Sequence, residues 1–167
     1  MPEHWKTLGS YNWGCITLHS INVIYRTVRD PLYPKLSKSE QNILKWAALL
    51  HDIVKRGNPL FEGKDHVHPF LSAKATLIIF KDLGIIDLEN PDKKSSFEQI
   101  IALIEDSEKS NPHFAEDSRL CPVVHSHHNL ESIFMLLWMD IAPRGSFIDL
   151  VFRLVAFHQS LQGVPAY

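Results

Sequence analysis

The sequence has no uninterrupted apolar run approaching the roughly 18 to 20 residues that a membrane-spanning helix needs, so no membrane span is expected. Its opening stretch, MPEHWKTLGS, lacks the basic-then-apolar order of a secretory signal, which makes the cytoplasm the expected compartment. Cysteine is scarce. Cys15 and Cys121 are the only two, and neither belongs to a C-x-x-C pair. That excludes a disulfide framework and a zinc finger, and both are read as reduced structural thiols. Internal repeats, low-complexity tracts and heptad arrays are also missing. The formal net charge of −2 argues against a broad surface for long nucleic acids. Charge is unevenly spread, however: basic residues outnumber acidic ones over 26–64, and the reverse holds over 82–117. The basic stretch either attracts phosphates or is a set of solvated helix faces.

What remains is an ordinary globular composition, 45% apolar and 22% charged, in 167 residues. That length suits one domain, 1–167, with a substantial core. The periodicity is helical almost throughout. Residues 12–29 carry Ile16, Val23, Ile24 and Val28, ending near Asp30-Pro31, where proline disfavours continuation. "SKSE" (37–40) offers a capping box before a helix with Ile43, Leu44, Ala47, Leu50 and Val54, expected to stop by "RGNP" (56–59). Further helices are expected over 69–83, from "SSFE" (95–98) to about Ser107, over 129–142, and from Ser146 to about Leu161. "LGIIDLENPDKK" reads as a connector and 108–124 as a loop. In the last helix Phe147, Phe152 and Phe157 read as core. The expected fold is all-α, a single bundle of about six or more helices.

Several polar residues break this pattern. His19 lies three after Ile16 and four before Val23, on an inward stripe. His51 is four after Ala47 and seven after Leu44; Asp140 is three after Leu137 and seven after Ile133. Asp is rarely buried without a partner, and a divalent cation would account for all three at once. "HVHPFLSA" adds His66 and His68, and "VVHSHHNL" adds His125, His127 and His128 at a loop–helix junction. Mixed imidazole and carboxylate ligands suit Fe, Mn, Co or Zn in a site that keeps open positions for water. Arg26, seven after His19, can share its helix face and is a candidate phosphate contact.

The ordered set His19, His51–Asp52, Asp140 resembles the hallmark of the HD superfamily of metal-dependent phosphohydrolases, over roughly residues 12–145. "HDIVK" is similar to its H-D-x-x-K form, which implies that Lys55 approaches a substrate phosphate or the attacking water. "HPFLSA" is similar to the H-P-x-x-[GS]-A helix entrance, which nominates His68 over His66. "HHN" is similar to the paired His of members that hold two metals. The resemblance therefore implies an H…HD…H…HH…D set with Asp52 bridging two ions. His19, His51 and Asp140 would complete one site, and His68, His127 and His128 the other. "MDIAPRGSF" is similar to the Asp-then-Pro-Arg ending of the dinucleoside tetraphosphate hydrolases, one residue shorter, which makes Arg144 a candidate substrate contact.

The chain also departs from the pattern. The GYP signature is absent, Asn129 follows the paired His where cyclic-dinucleotide enzymes usually have Glu, and Glu105 and Asp106 stand where some branches place another His. Cyclic-di-GMP is therefore disfavoured. The expected activity is hydrolysis of a phosphate ester or anhydride of a nucleotide or dinucleotide by metal-activated water, with one or two ions and with Asp52 and Lys55 as catalytic residues. The rival expectations are a non-catalytic HD-type ligand-binding or regulatory module, and a diiron oxygen-using enzyme built on the same ligands.

Overall fold

The computed structural model describes residues 16–55, 68–109 and 127–158; for 107–109, 127 and 128 it describes the backbone alone. Cys15, His66, Cys121 and His125 lie outside the described residues. Among the described residues the chain is all-α, as expected, with six α-helices and no strand.

Helix α1 (Ile16–Arg29) ends before Asp30, whose side chain accepts the amide of Leu32 and starts a turn. A short 3-10 turn, Tyr33–Lys35, leads to α2 (Lys38–Leu50). Its capping box forms as expected. The Ser37 hydroxyl accepts from the Glu40 amide, and Glu40 takes the Ser37 amide at 2.7 Å, so two otherwise unpaired donors are satisfied reciprocally. Helix α2 stops at Leu50, so the His51–Asp52 pair sits at its C-terminal edge, in the turn that follows. Helix α3 (His68–Asp82) begins with a wholly buried stretch, His68 to Ala73. It closes on Gly84 at φ +70°, with the Ile85 amide bonded to the Phe80 carbonyl and the Gly84 amide to the Lys81 carbonyl. That left-handed cap suits a residue without a Cβ.

Helix α4 spans Pro91–Lys109, four residues longer at its start than the expected "SSFE" entry. The Asn90 side chain accepts the Asp92 amide at 2.8 Å, and Pro91 supplies a helix-ready φ at the first position, so Asn90-Pro91 starts the helix earlier. Helix α5 (His127–Leu136) runs into a π-helical stretch, Leu137–Ile141. Helix α6 (Phe147–Phe157) is capped by Ser146, whose hydroxyl accepts from the Asp149 amide. No helix among the described residues is long and apolar enough to cross a membrane.

Helix α6 packs against both α3 and α2, while α4 packs against α5 and its π extension. The shared core includes Leu77 and Phe80 of α3, Ile100 and Ile104 of α4, Ile133 and Leu137, and Val151, Phe152 and Val155 of α6. Phe152 is buried, and Phe147 and Phe157 are half-buried against the same core.

One buried carboxylate fixes the α5–α6 hairpin. Asp149, fully buried, accepts from the Trp138 indole (2.8 Å), the Gly145 amide (2.6 Å) and the Arg153 guanidinium (2.9 Å). Each charge-assisted bond offsets part of the carboxylate's desolvation. Gly145, at φ +81°, lets the bend present its amide to Asp149. Replacing Asp149 with Ala is expected to cost about 3 kcal/mol by leaving buried donors unpaired. Trp138→Phe, which removes one bond, should cost about 1 kcal/mol. Urea unfolding checks both values; an Asp149→Ala chain as stable as the parent contradicts this account of the hairpin.

Candidate metal centre

Two helices end in the same local arrangement. His51 stands at the C-cap of α2 and His158 at that of α6. Nδ1 of His51 lies 2.9 Å from the Ala48 carbonyl, and Nδ1 of His158 lies 2.8 Å from the Val155 carbonyl. A carbonyl only accepts, so Nδ1 carries the hydrogen in both rings. The last-turn carbonyls of a helix lack intrahelical partners, and each ring satisfies one of them. Each imidazole is thereby anchored on its helix end with Nε2 facing away.

Both Nε2 atoms face Asp52. Its carboxylate is 1% exposed, and four imidazoles and one ammonium converge on it. His19 Nε2 lies 3.4 Å and His51 Nε2 3.6 Å from Oδ2. His68 Nε2 lies 2.8 Å and His158 Nε2 3.3 Å from Oδ1. Within each pair the Nε2 atoms are 3.2 Å apart. Lys55 Nζ reaches Oδ2 at 2.8 Å. Four elements supply these groups: α1, the turn after α2, the buried start of α3 and the end of α6.

The electrostatics of this cluster are unbalanced. Burial pushes the His51 imidazole down to about 4, and burial also lowers His19. At neutral pH His51 is therefore uncharged, and its Nε2 presents a lone pair to the carboxylate. Burial alone would raise Asp52. The His158 and His68 imidazoles against Oδ1 outweigh that effect and hold the carboxyl well below its ordinary range, so it is ionised. Oδ1 nevertheless accepts no hydrogen bond, despite the short approach of His68 Nε2. A buried, ionised oxygen without a well-formed hydrogen bond is costly, and a cation bound there would offset that cost.

The donor set fits a metal on its dimensions as well. Ligand atoms about 2.1 Å from one ion stand about 3.0 to 3.4 Å from one another in octahedral or tetrahedral geometry. The separations above run from 2.8 to 3.6 Å. Two groups could each hold an ion, His19–His51–Asp52 and Asp52–His68–His158, sharing Asp52 through different oxygens. A Nδ1–H bonded to a backbone carbonyl is the usual outer-shell anchor of a ligating imidazole.

The structure thus brings together His19, His51, Asp52, Lys55 and His68 of the sequence-predicted set. It does not bring in Asp140. That carboxylate accepts the Ser96 hydroxyl of α4 at 2.6 Å and belongs to neither group. Asp140 lies at the bend of the α5–α6 hairpin, where Trp138 meets Asp149, whereas the cluster is at the other end of α6. Nine residues of helix, about 13 Å, separate Asp149 from His158. Arg144 belongs to the same bend; it is exposed, with its guanidinium 5.1 Å from the Trp138 ring centre. Arg26 is exposed on α1, two turns beyond His19. His127 and His128 begin α5, but their side chains lie outside what is described.

The sequence reading missed His158. The signal was available: His158 is three after Val155 and seven after Val151, both fully buried, which is the spacing argument that singled out His19. Metal loading separates the two assignments. Elemental analysis of manganese-loaded protein should show His158→Ala retaining about one ion where the parent holds two, with Asp140→Ala unchanged. Loss of metal from Asp140→Ala alone would reverse the assignment.

Comparison of the chain with protein-family models, with curated proteins and with solved structures gave no match, so the functional reading rests on the cluster itself.

Proposed function

We propose that this protein is a metal-dependent hydrolase acting on a phosphate ester or anhydride of a small, nucleotide-like molecule. The observation that carries the reading is Asp52: a buried, ionised carboxylate with an unsatisfied Oδ1, faced by helix-anchored imidazoles. His19, His51 and Asp52 Oδ2 would hold one divalent ion, and His68, His158 and Asp52 Oδ1 a second. Bound cations at such a site supply Lewis-acid activation of water and neutralise charge on a phosphoryl oxygen.

The chain's own residues do the rest. Asp52 holds the two halves of the cluster in register through its two oxygens. The Ala48 and Val155 carbonyls keep His51 and His158 in the tautomer that leaves Nε2 free of hydrogen. Lys55, mostly buried beside the cluster, offers an ammonium to an anionic substrate oxygen or to the attacking water. Arg26 offers a second cation for the remote part of an extended phosphate. The motifs "HDIVK" and "HPFLSA" support the phosphohydrolase reading through their resemblance to the HD superfamily.

A second reading has its own support. Four imidazoles and one shared carboxylate would equally serve a pair of irons engaged in oxidative chemistry. Protein loaded with manganese, iron or cobalt, incubated with nucleoside mono-, di- and triphosphates and dinucleoside polyphosphates, separates the alternatives. The expected result is phosphate-bond cleavage independent of oxygen, reduced to the uncatalysed background in Asp52→Ala. Turnover that requires oxygen would favour the iron-based chemistry. A metal-loaded protein inert towards the whole panel would overturn the hydrolase reading in favour of a non-catalytic ligand-binding module.

A further inference from the structure

The two halves of the cluster are not equivalent. On Oδ1 the ion pairs are both imidazoles, His68 at 2.8 Å and His158 at 3.3 Å. On Oδ2 the two imidazoles are joined by the Lys55 ammonium, at 2.8 Å and closer than either ring nitrogen. Lys55 and Asp52 are three residues apart, and the Lys55 amide bonds to the Asp52 carbonyl at 3.0 Å, so the turn after α2 holds the ammonium against the carboxylate. Both side chains are largely shielded from solvent, so the pair is weakly screened.

The geometry points to Lys55 as a built-in counter-ion that occupies the place of one cation and makes the two metal positions unequal in affinity. This inference rests on the metal-centre reading above and adds an order of events to it. An ion at the His68–His158 position meets no ammonium on its carboxylate oxygen. An ion at the His19–His51 position must share Oδ2 with, or displace, a resident positive charge. The first position therefore fills at lower metal concentration. Filling the second draws the Lys55 ammonium away from Oδ2. In the metal-free chain the same ammonium limits the cost of the buried carboxylate.

The test is a titration of metal-free protein with Mn²⁺ alone, followed by calorimetry and by the electron paramagnetic resonance signal of the unbound ion. The parent should show two unequal classes of site, with His158→Ala losing the tighter one. Lys55→Met, which keeps the stem and removes the charge, should tighten the weaker class by about tenfold or more and leave the tighter class little changed. Without metal, Lys55→Met should melt at a lower temperature than the parent, and saturating Mn²⁺ should close that gap. Lys55→Gln, which keeps a donor for Oδ2, is expected to show the same gain in affinity and carries the test should Lys55→Met fail to fold. If the parent binds two ions and removing the charge leaves the weaker class unchanged or weakens it, the counter-ion role is overturned while the metal centre stands. If the parent binds no Mn²⁺, the metal reading falls and this inference with it.

Discussion

The organisation of this protein turns on one buried carboxylate. Asp52 is ionised, nearly sealed from solvent, and faced by four imidazoles that do not satisfy its Oδ1. A folded chain seldom places a charge so deep without a matching one. Lys55 supplies a positive charge against Oδ2, and the ion pairs on Oδ1 are the His68 and His158 imidazoles alone, an arrangement that could hold a cation. The other features of the site follow from that imbalance: the anchored tautomers, the ligand-like separations and the inequivalence of the two oxygens.

The fold serves the cluster by bringing helix ends together. Helices α2 and α6 pack against each other and each contributes a C-terminal His, so two partly negative helix ends converge where positive charge is needed. Helix α3, packed along α6, enters the core at its first residue and delivers His68 fully buried. Helix α1, packed on α2, adds His19 from its flank. Asp149 holds the opposite end of α6 through the Trp138, Gly145 and Arg153 bonds, which fixes the helix that carries His158. The two ends of α6 thus each meet a buried carboxylate, Asp149 at the start and Asp52 at the end.

Much of this was legible in the sequence, and the failures have identifiable causes. The Ser37–Glu40 capping box and the inward stripe through His19 and His51 depend on neighbours within one or two turns, and they are found as expected. Asp140 fits the same stripe test, since Ile133 and Leu137 are indeed buried. A stripe, however, says which face is inward and not which end of the bundle a residue occupies. The hairpin places Asp140 beside Ser96, outside both groups around Asp52. His158 passes the stripe test too, with Val151 and Val155, but its role depends on α3 and α6 packing so that His68 and His158 meet across ninety positions of sequence. Helix α4 began earlier than expected because Asn90-Pro91 is itself a start signal, upstream of the Ser95–Glu98 pattern.

The central claim is that Asp52 and the imidazoles around it hold cations. Its most direct test is the metal content per chain, by elemental analysis of protein purified without added metal or chelator and again after loading with Mn, Fe, Co and Zn. The account predicts transition ions in the purified protein, rising on loading to about two per chain, one for each oxygen of Asp52. A folded chain that takes up none of the four metals would contradict it.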